Sequence, residues 1–460
     1  FFTYQRGAIA PWDSTYRMAL AGKSVVSSYL LSDGTLALGL QRSGLALISP
    51  GKSIHFLTYK DGIPLGSING VSEDASGRIW LATEDGIASV DLHSAVSAPP
   101  TSAGLTGSVS SISLMGENLY VGTDRGLFLS DPISQAPPAR FSRVSDLDIP
   151  VRSMLALNND LFLGGGDELI IIPQQIAALR YSLQLGYPVR VLLASEHREN
   201  VVFAGHAGGV SKLVYNRVSS RWEEQDRIDD GLAHVSRLSE SVTGVLWAGL
   251  VPNGVARITF PESDSLETNV TLFDERSGLP SAATQPLRVD ERIVFATRSG
   301  TYSFQPENNR FSPGNSLGLS GDTRVSDIRF IHRTPSDNIW LFTGDYAGIL
   351  PTGEGAGRHI EMIEPLHLLS DFQIAQMECE AAQDSCWFAT NKGLFHYSSS
   401  VNEALTAPSH TLIRTIETPE GTLFGGRSEA GVEPPVFELP ISQNSFVFSF
   451  STPFFEEIGE

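Results

Sequence analysis

The chain has 460 residues, 41% of them hydrophobic, and no continuous apolar run near the ~18 residues that a membrane-crossing helix needs. That length exceeds one typical domain, so the chain reads as several domains or one large repeat array. A net charge of −20 with only five lysines repels phosphate backbones and argues against nucleic acid as a partner.

The chain opens on Phe1-Phe2-Thr3-Tyr4, which reads as the middle of a strand, with no charged segment and apolar stretch of the leader type before it. From there a hairpin pattern recurs: an apolar, often aromatic run ending in Thr or Gly, a polar turn, then Gly and a second apolar strand. Its nine anchors are Leu36-Ala37-Leu38-Gly39, Trp80-Leu81-Ala82-Thr83, Tyr120-Val121-Gly122-Thr123, Phe162-Leu163-Gly164-Gly165, Phe203-Ala204-Gly205, Leu246-Trp247-Ala248-Gly249, Phe295-Ala296-Thr297, Trp340-Leu341-Phe342-Thr343 and Trp387-Phe388-Ala389-Thr390. Their spacing of roughly 40–48 residues is the length of a four-stranded propeller blade. The second strands open on glycines tolerant of positive φ, such as Gly44, Gly86, Gly126, Gly209, Gly254, Gly300, Gly348 and Gly393. Short β-rich runs before the anchors, such as Val109–Ile112 and Val325–Ile328, read as innermost strands. Apart from a turn around Gln174 to Leu179, no stretch carries a capped helical pattern, so the fold class is all-β.

The search for chemistry is mostly negative. The ten histidines show no H-E-x-x-H, and C-x-x-C is absent, so no metal site or cofactor is expected; His332, His367 and His396 read as structural. Serine hydrolysis is not supported, and no catalytic residue is assigned. Gly165-Gly166-Asp167-Glu168-Leu169 looks like the hairpin of diguanylate cyclases, yet it falls in register with the fourth anchor in an all-β context and reads as structural. The anchor tryptophans read as packing between blades, with Trp12 and Trp222 outside that position. Inner-strand starts converge on the axis of a propeller, and aligning the repeats brings Arg152, Arg190, Arg237, Arg324 and Asp327 to within a step or two of equivalent positions. Several arginines from different blades would form an anion or polyol site; the competing expectation has them between blades, paired with aspartates such as Asp327. Cys379 and Cys386 would sit opposite each other in a tight hairpin, which suits either a cross-strand disulfide or two buried thiols.

Tyr59-Lys60-Asp61-Gly62-Ile63-Pro64, Ile68-Asn69-Gly70-Val71-Ser72-Glu73-Asp74 and Gly77-Arg78-Ile79-Trp80-Leu81-Ala82-Thr83-Glu84-Asp85-Gly86-Ile87 together resemble the repeat of two-component regulator propellers. Weaker copies share Asp230-Gly231-Leu232, Ser277-Gly278-Leu279-Pro280 and Asp337-Asn338-Ile339-Trp340. Leu412-Ile413-Arg414-Thr415, Leu423-Phe424-Gly425-Gly426 and Asn444–Phe450 resemble the opening strands of the triple-tyrosine immunoglobulin-like module that follows such propellers; alternation around Val447 and Ser449 suggests one buried face.

The resemblance implies the periplasmic or extracellular sensor part of an inner-membrane receptor, homodimeric when intact, with a kinase or cyclase output and its membrane segment outside this sequence. It implies residues 1–103 as the last two blades of an upstream propeller, 104–402 as a seven-bladed ring and 403–460 as the start of the immunoglobulin-like module. One ring of eight or nine blades is the alternative. The expected partner is a small extracellular ligand, an oligosaccharide or an organic anion. A propeller lyase with a central site, for which the alignment offers only His234, and a protein-interaction scaffold are the competing functions.

Overall fold

The computed structural model describes residues 2–451 except 6–7, 12–13, 51–52, 60–62, 75–76, 93, 100–102, 134–139, 145–146, 148, 230, 233, 262–267, 315–316, 320–324, 352–357, 381–384, 400–411, 420 and 426–444. Residues 1–402 and 403–460 form two compact units. No helix among the described residues is long and apolar enough to cross a membrane.

All nine anchors lie on the second strand of an antiparallel sheet, with the inner strand before and the third strand after. Six sheets follow in chain order from Val109 to Met362, each with four consecutive strands; we number them blades 1 to 6, covering 109–143, 153–184, 189–228, 235–273, 285–313 and 330–362. Blade 7 takes three strands from 374–398, and its fourth is Val96–Ser97, paired with Tyr397 and His396. The chain before blade 1 thus completes blade 7, so the strand that closes the ring lies inside residues 1–103, which the family resemblance assigned to upstream blades.

Seven apolar clusters fill the seven spaces between neighbouring blades. Phe162 and Leu169 meet Val202 and Trp222 between blades 2 and 3; Trp247 and Phe273 meet Phe295 and Phe311 between blades 4 and 5. The last space joins Val109 and Ile112 of blade 1 to Trp387 and Leu394 of blade 7, which makes the ring closed. Aromatic anchors suit this position because an edge-to-face pair such as Trp247–Phe295, with centroids 4.9 Å apart, combines large buried area with defined geometry. Trp222 is 1% exposed and donates its indole N–H to Asp160, so it offers no surface for sugar stacking; Trp12 lies outside the described residues.

The repeat's glycines have two jobs. At Gly122, Gly164 and Gly205 an added Cβ would fall 2.7 Å or less from the next blade's valine or a partner side chain, so the anchor ends in glycine where blades approach most closely. At the third-strand start, Gly126, Gly209 and Gly393 have φ of 126°, 129° and 131°, accessible to glycine alone at little cost. Gly165 to Leu169 turns between the second and third strands of blade 2, as a structural hairpin.

Before the ring, 25–57 form a four-stranded sheet and 68–90 a three-stranded one, sharing a core of Leu31, Leu45, Ile68 and Ile79. Here Asp74 shows why the repeat needs its acid: it accepts from the Arg78 amide at 3.1 Å and from the Trp80 indole at 2.7 Å, fixing the turn and the anchor together. A short helix, Ser14–Ala19, was not expected; its Tyr16, with Leu20 just after it, packs on Leu38 and Leu40. Ile87 is 78% exposed, whereas the residues at its register position in blades 1, 2, 3 and 7, Leu127, Leu169, Val210 and Leu394, are at most 3% exposed.

In the second unit, Leu412–Thr418 runs between Gly421–Gly425 and Val447–Ser451. The alternation around Val447 does not produce a buried face: Phe446, Val447, Phe448 and Phe450 are 41%, 61%, 52% and 70% exposed, since no second layer covers this sheet among the described residues.

Candidate functional site

The seven inner strands surround a cavity of about 600 Å³ on the ring axis, within the usual size of small-molecule sites. Cross-strand register defines equivalent positions along these strands. Several carry a bulge after their first residue, between Val109 and Ser111, Val189 and Val191, Val235 and Arg237, and Ile374 and Gln376. Counting from the bulge, Ser110, Arg152, Arg190, Ser236, Thr284, Arg329 and Ala375 share one level. Ser111, Ser153, Val191, Arg237, Gln285, Phe330 and Gln376 share the next.

Arg152 and Arg190 are therefore equivalent, and Arg237 is one step along; all three line the cavity. None is ion-paired with a carboxylate among the described residues. Arg237 lies over the Phe330 ring, 5.4 Å from its centroid, and burial lowers its guanidinium pKa below the ordinary value. Asp327 does not line the cavity: it pairs with Arg329 at 3.1 Å and Arg298 at 4.0 Å. Arg329 also pairs with Asp371 at 2.8 Å, so the alternative of arginines held by local aspartates applies to Arg329 and not to the other three. Arg324 lies outside the described residues.

The opposite end of the cavity is charge-matched. Three residues beyond Gln285 and Phe330, Arg288 and Arg333 both reach Glu196, which follows the inner strand of blade 3. Arg333 pairs as well with Asp337. The loop carrying Glu196 is fixed by buried Glu240, which accepts from the Ser195 hydroxyl at 2.7 Å, the Glu196 amide at 3.0 Å and Arg198 at 2.6 Å. This bridge ties blade 3 to blades 5 and 6 across the axis.

Sequence alignment missed Arg288, Arg333, Glu196, Gln285, Gln376 and His332 as cavity residues. His332 lines the cavity with its pKa lowered to about 4, by burial first and then by Arg237, so at neutral pH it is an uncharged imidazole. His234, the residue a lyase reading would use, is exposed at φ 52° and does not line the cavity. Among the described residues no cluster of three or more His, Cys, Asp or Glu is placed to hold a metal.

Cys379 and Cys386 are partners across the first two strands of blade 7 and form a disulfide.

The chain is similar in fold to the extracellular domain assigned to a hybrid two-component system of B. thetaiotaomicron, with TM-score 0.63 and 18% identity over 93% of this chain and 59% of that one. A second such domain of the same organism gives TM-score 0.50 and 13% identity over 89% of this chain and 57% of that one. Virginiamycin B lyase of Staphylococcus aureus aligns at TM-score 0.41 and 10% identity over 63% of this chain and 94% of that one, too distant to bear on function. The chain thus spans under two thirds of the two extracellular domains, and at these identities the likeness shows the propeller fold alone. No family model and no curated protein matches.

Proposed function

We propose that this chain is the extracytoplasmic ligand-sensing part of a membrane signalling receptor of the two-component regulator propeller type, and that the axial cavity of the seven-bladed ring is its ligand site. The observation that carries the reading is the cavity itself: five arginines and two glutamates line it in a chain whose net charge is −20. Three of those arginines have no carboxylate partner, and a channel that concentrates unpaired cations is built for an external ligand.

Three further points support it. Solved structures of similar fold come from extracellular domains assigned to two-component systems. A disulfide is at home outside the cytoplasm. The exposed Ile87 face matches a surface that the neighbouring blade covers in the closed ring, which suits 25–90 as the end of a preceding propeller. In this reading 403–460 begin the triple-tyrosine module, and sensing is a population shift that requires the ligand to prefer one receptor conformation.

The test is a thermal-shift screen against saccharides and organic acids. A ligand at 100 times its dissociation constant adds about 2.7 kcal/mol and raises the melting temperature by several degrees. The reading predicts such a shift, abolished by R190A together with R237A. A ligand whose shift survives that change would refute the channel as the site.

A further inference from the structure

The cavity is chemically lopsided. Three consecutive blades, 2, 3 and 4, supply Arg152, Arg190 and Arg237 at neighbouring levels. The facing arc, from blades 5, 6 and 7, presents Gln285, Phe330 and Gln376 at the level of Arg237, all uncharged. Glu196 and Asp337 together neutralise Arg288 and Arg333 at the far end, so unbalanced positive charge is confined to one arc.

A second observation lies on the neutral arc. Gln285 donates through Nε2 to the Arg329 carbonyl at 3.2 Å, while its Oε1, buried in the cavity wall, receives no donor from the described residues. Gln376 is committed on both atoms, accepting from the Ile112 amide at 3.3 Å and donating to Glu378 at 3.2 Å. Gln285 is thus the amide with acceptor capacity left over.

Resting on the sensor reading above, we infer that the cavity takes a hydroxylated carboxylate of the sugar-acid class, its carboxylate held by Arg152, Arg190 and Arg237 and a hydroxyl donated to Gln285 Oε1. Guanidinium groups match a carboxylate bidentately. A neutral sugar would leave the desolvated Arg237 guanidinium without a counter-charge, and a carboxylate without hydroxyls would leave the Gln285 acceptor unmet.

Titration calorimetry with four probes separates the two halves of the proposal: D-glucuronate and D-gluconate carry both features, glucose only the hydroxyls, glutarate only carboxylates. The sugar acids bind, with glucose and glutarate at least tenfold weaker. R152Q with R190Q, at exposed positions where folding is checked by an unchanged melting temperature, weakens the sugar acids at least tenfold. Gln285→Leu removes the preference for gluconate over glutarate. Glucose or glutarate binding as tightly as the sugar acids, with sensitivity to R152Q/R190Q, overturns the ligand class while the channel stands as the sensor site. Failure of all four probes, with a ligand from the wider screen that ignores R152Q/R190Q, overturns both.

Discussion

Replacing Glu378 by glutamine offers a quantitative probe of the inner-strand environment. Glu378 lies on the inner strand of blade 7, its Oε1 accepting from Gln376 at 3.2 Å, and burial pushes its carboxyl up to about 7 from an ordinary 4.5. A raised folded-state pKa means that the native chain keeps a proton which the unfolded chain has released. The associated stability is fully present below pH ~4.5 and is lost as pH rises through about 7. At about 1.4 kcal/mol per pH unit the full shift corresponds to roughly 3 kcal/mol, an upper figure for a partly exposed side chain. E378Q keeps an acceptor for Gln376 and removes the charge. It is expected to exceed the unsubstituted protein by under about 1 kcal/mol at pH 5 and by up to roughly 3 kcal/mol at pH 8. Urea denaturation of both proteins at pH 5, 6, 7 and 8 gives the difference directly, with the histidine contributions common to both cancelling. A difference that does not change with pH, or a variant that is weaker at pH 8, would refute a carboxyl held protonated by burial.

His332, held down to about 4, takes up a proton in the unfolded chain first, so its contribution is present above pH 6.5 and lost as pH falls towards 4; H332Q should flatten that acid limb in the same titration. Proline at both Val96 and Ser97 should break the pairing with Tyr397 and His396 and lower stability by about 3 kcal/mol or more, and an unchanged melting temperature would mean that blade 7 closes without this strand. Removing the Cys379–Cys386 disulfide by changing both residues to alanine frees a loop of sequence separation 7 and should cost about 2 kcal/mol, read as a lower melting temperature that reductant no longer affects.

The blades were legible because each must bury one face on the next: that demand repeats the same anchor nine times, with aromatic or branched residues at Trp247, Phe295 and Trp387 and glycine where backbones touch. Ring closure was not legible, since Val96–Ser97 is a two-residue strand with no periodicity and is chosen by its position beside Tyr397. Arg152, Arg190 and Arg237 could be found because they stand near the inner-strand starts. Arg288 and Arg333 could not: they lie three residues further along their inner strands, away from the strand starts that were aligned, and their partner Glu196 sits in a loop without repeat identity. The short helix Ser14–Ala19 has too few residues to show a helical period, and its Tyr16 is placed by packing on Leu38 and Leu40. Around Val447, alternation gave a pattern consistent with one buried face, but burial needs a second layer, which the strand's own sequence does not supply.

The most direct test of a ligand site on the ring axis is hydrogen exchange of the full chain with and without a ligand that raises its melting temperature. The account predicts added protection in the inner strands Ser153–Leu157, Val189–Ala194, Val235–Glu240 and Gln285–Val289 and in the Ser195 to Arg198 loop. Protection confined to 25–90 or to 412–451, with those strands unchanged, would contradict it.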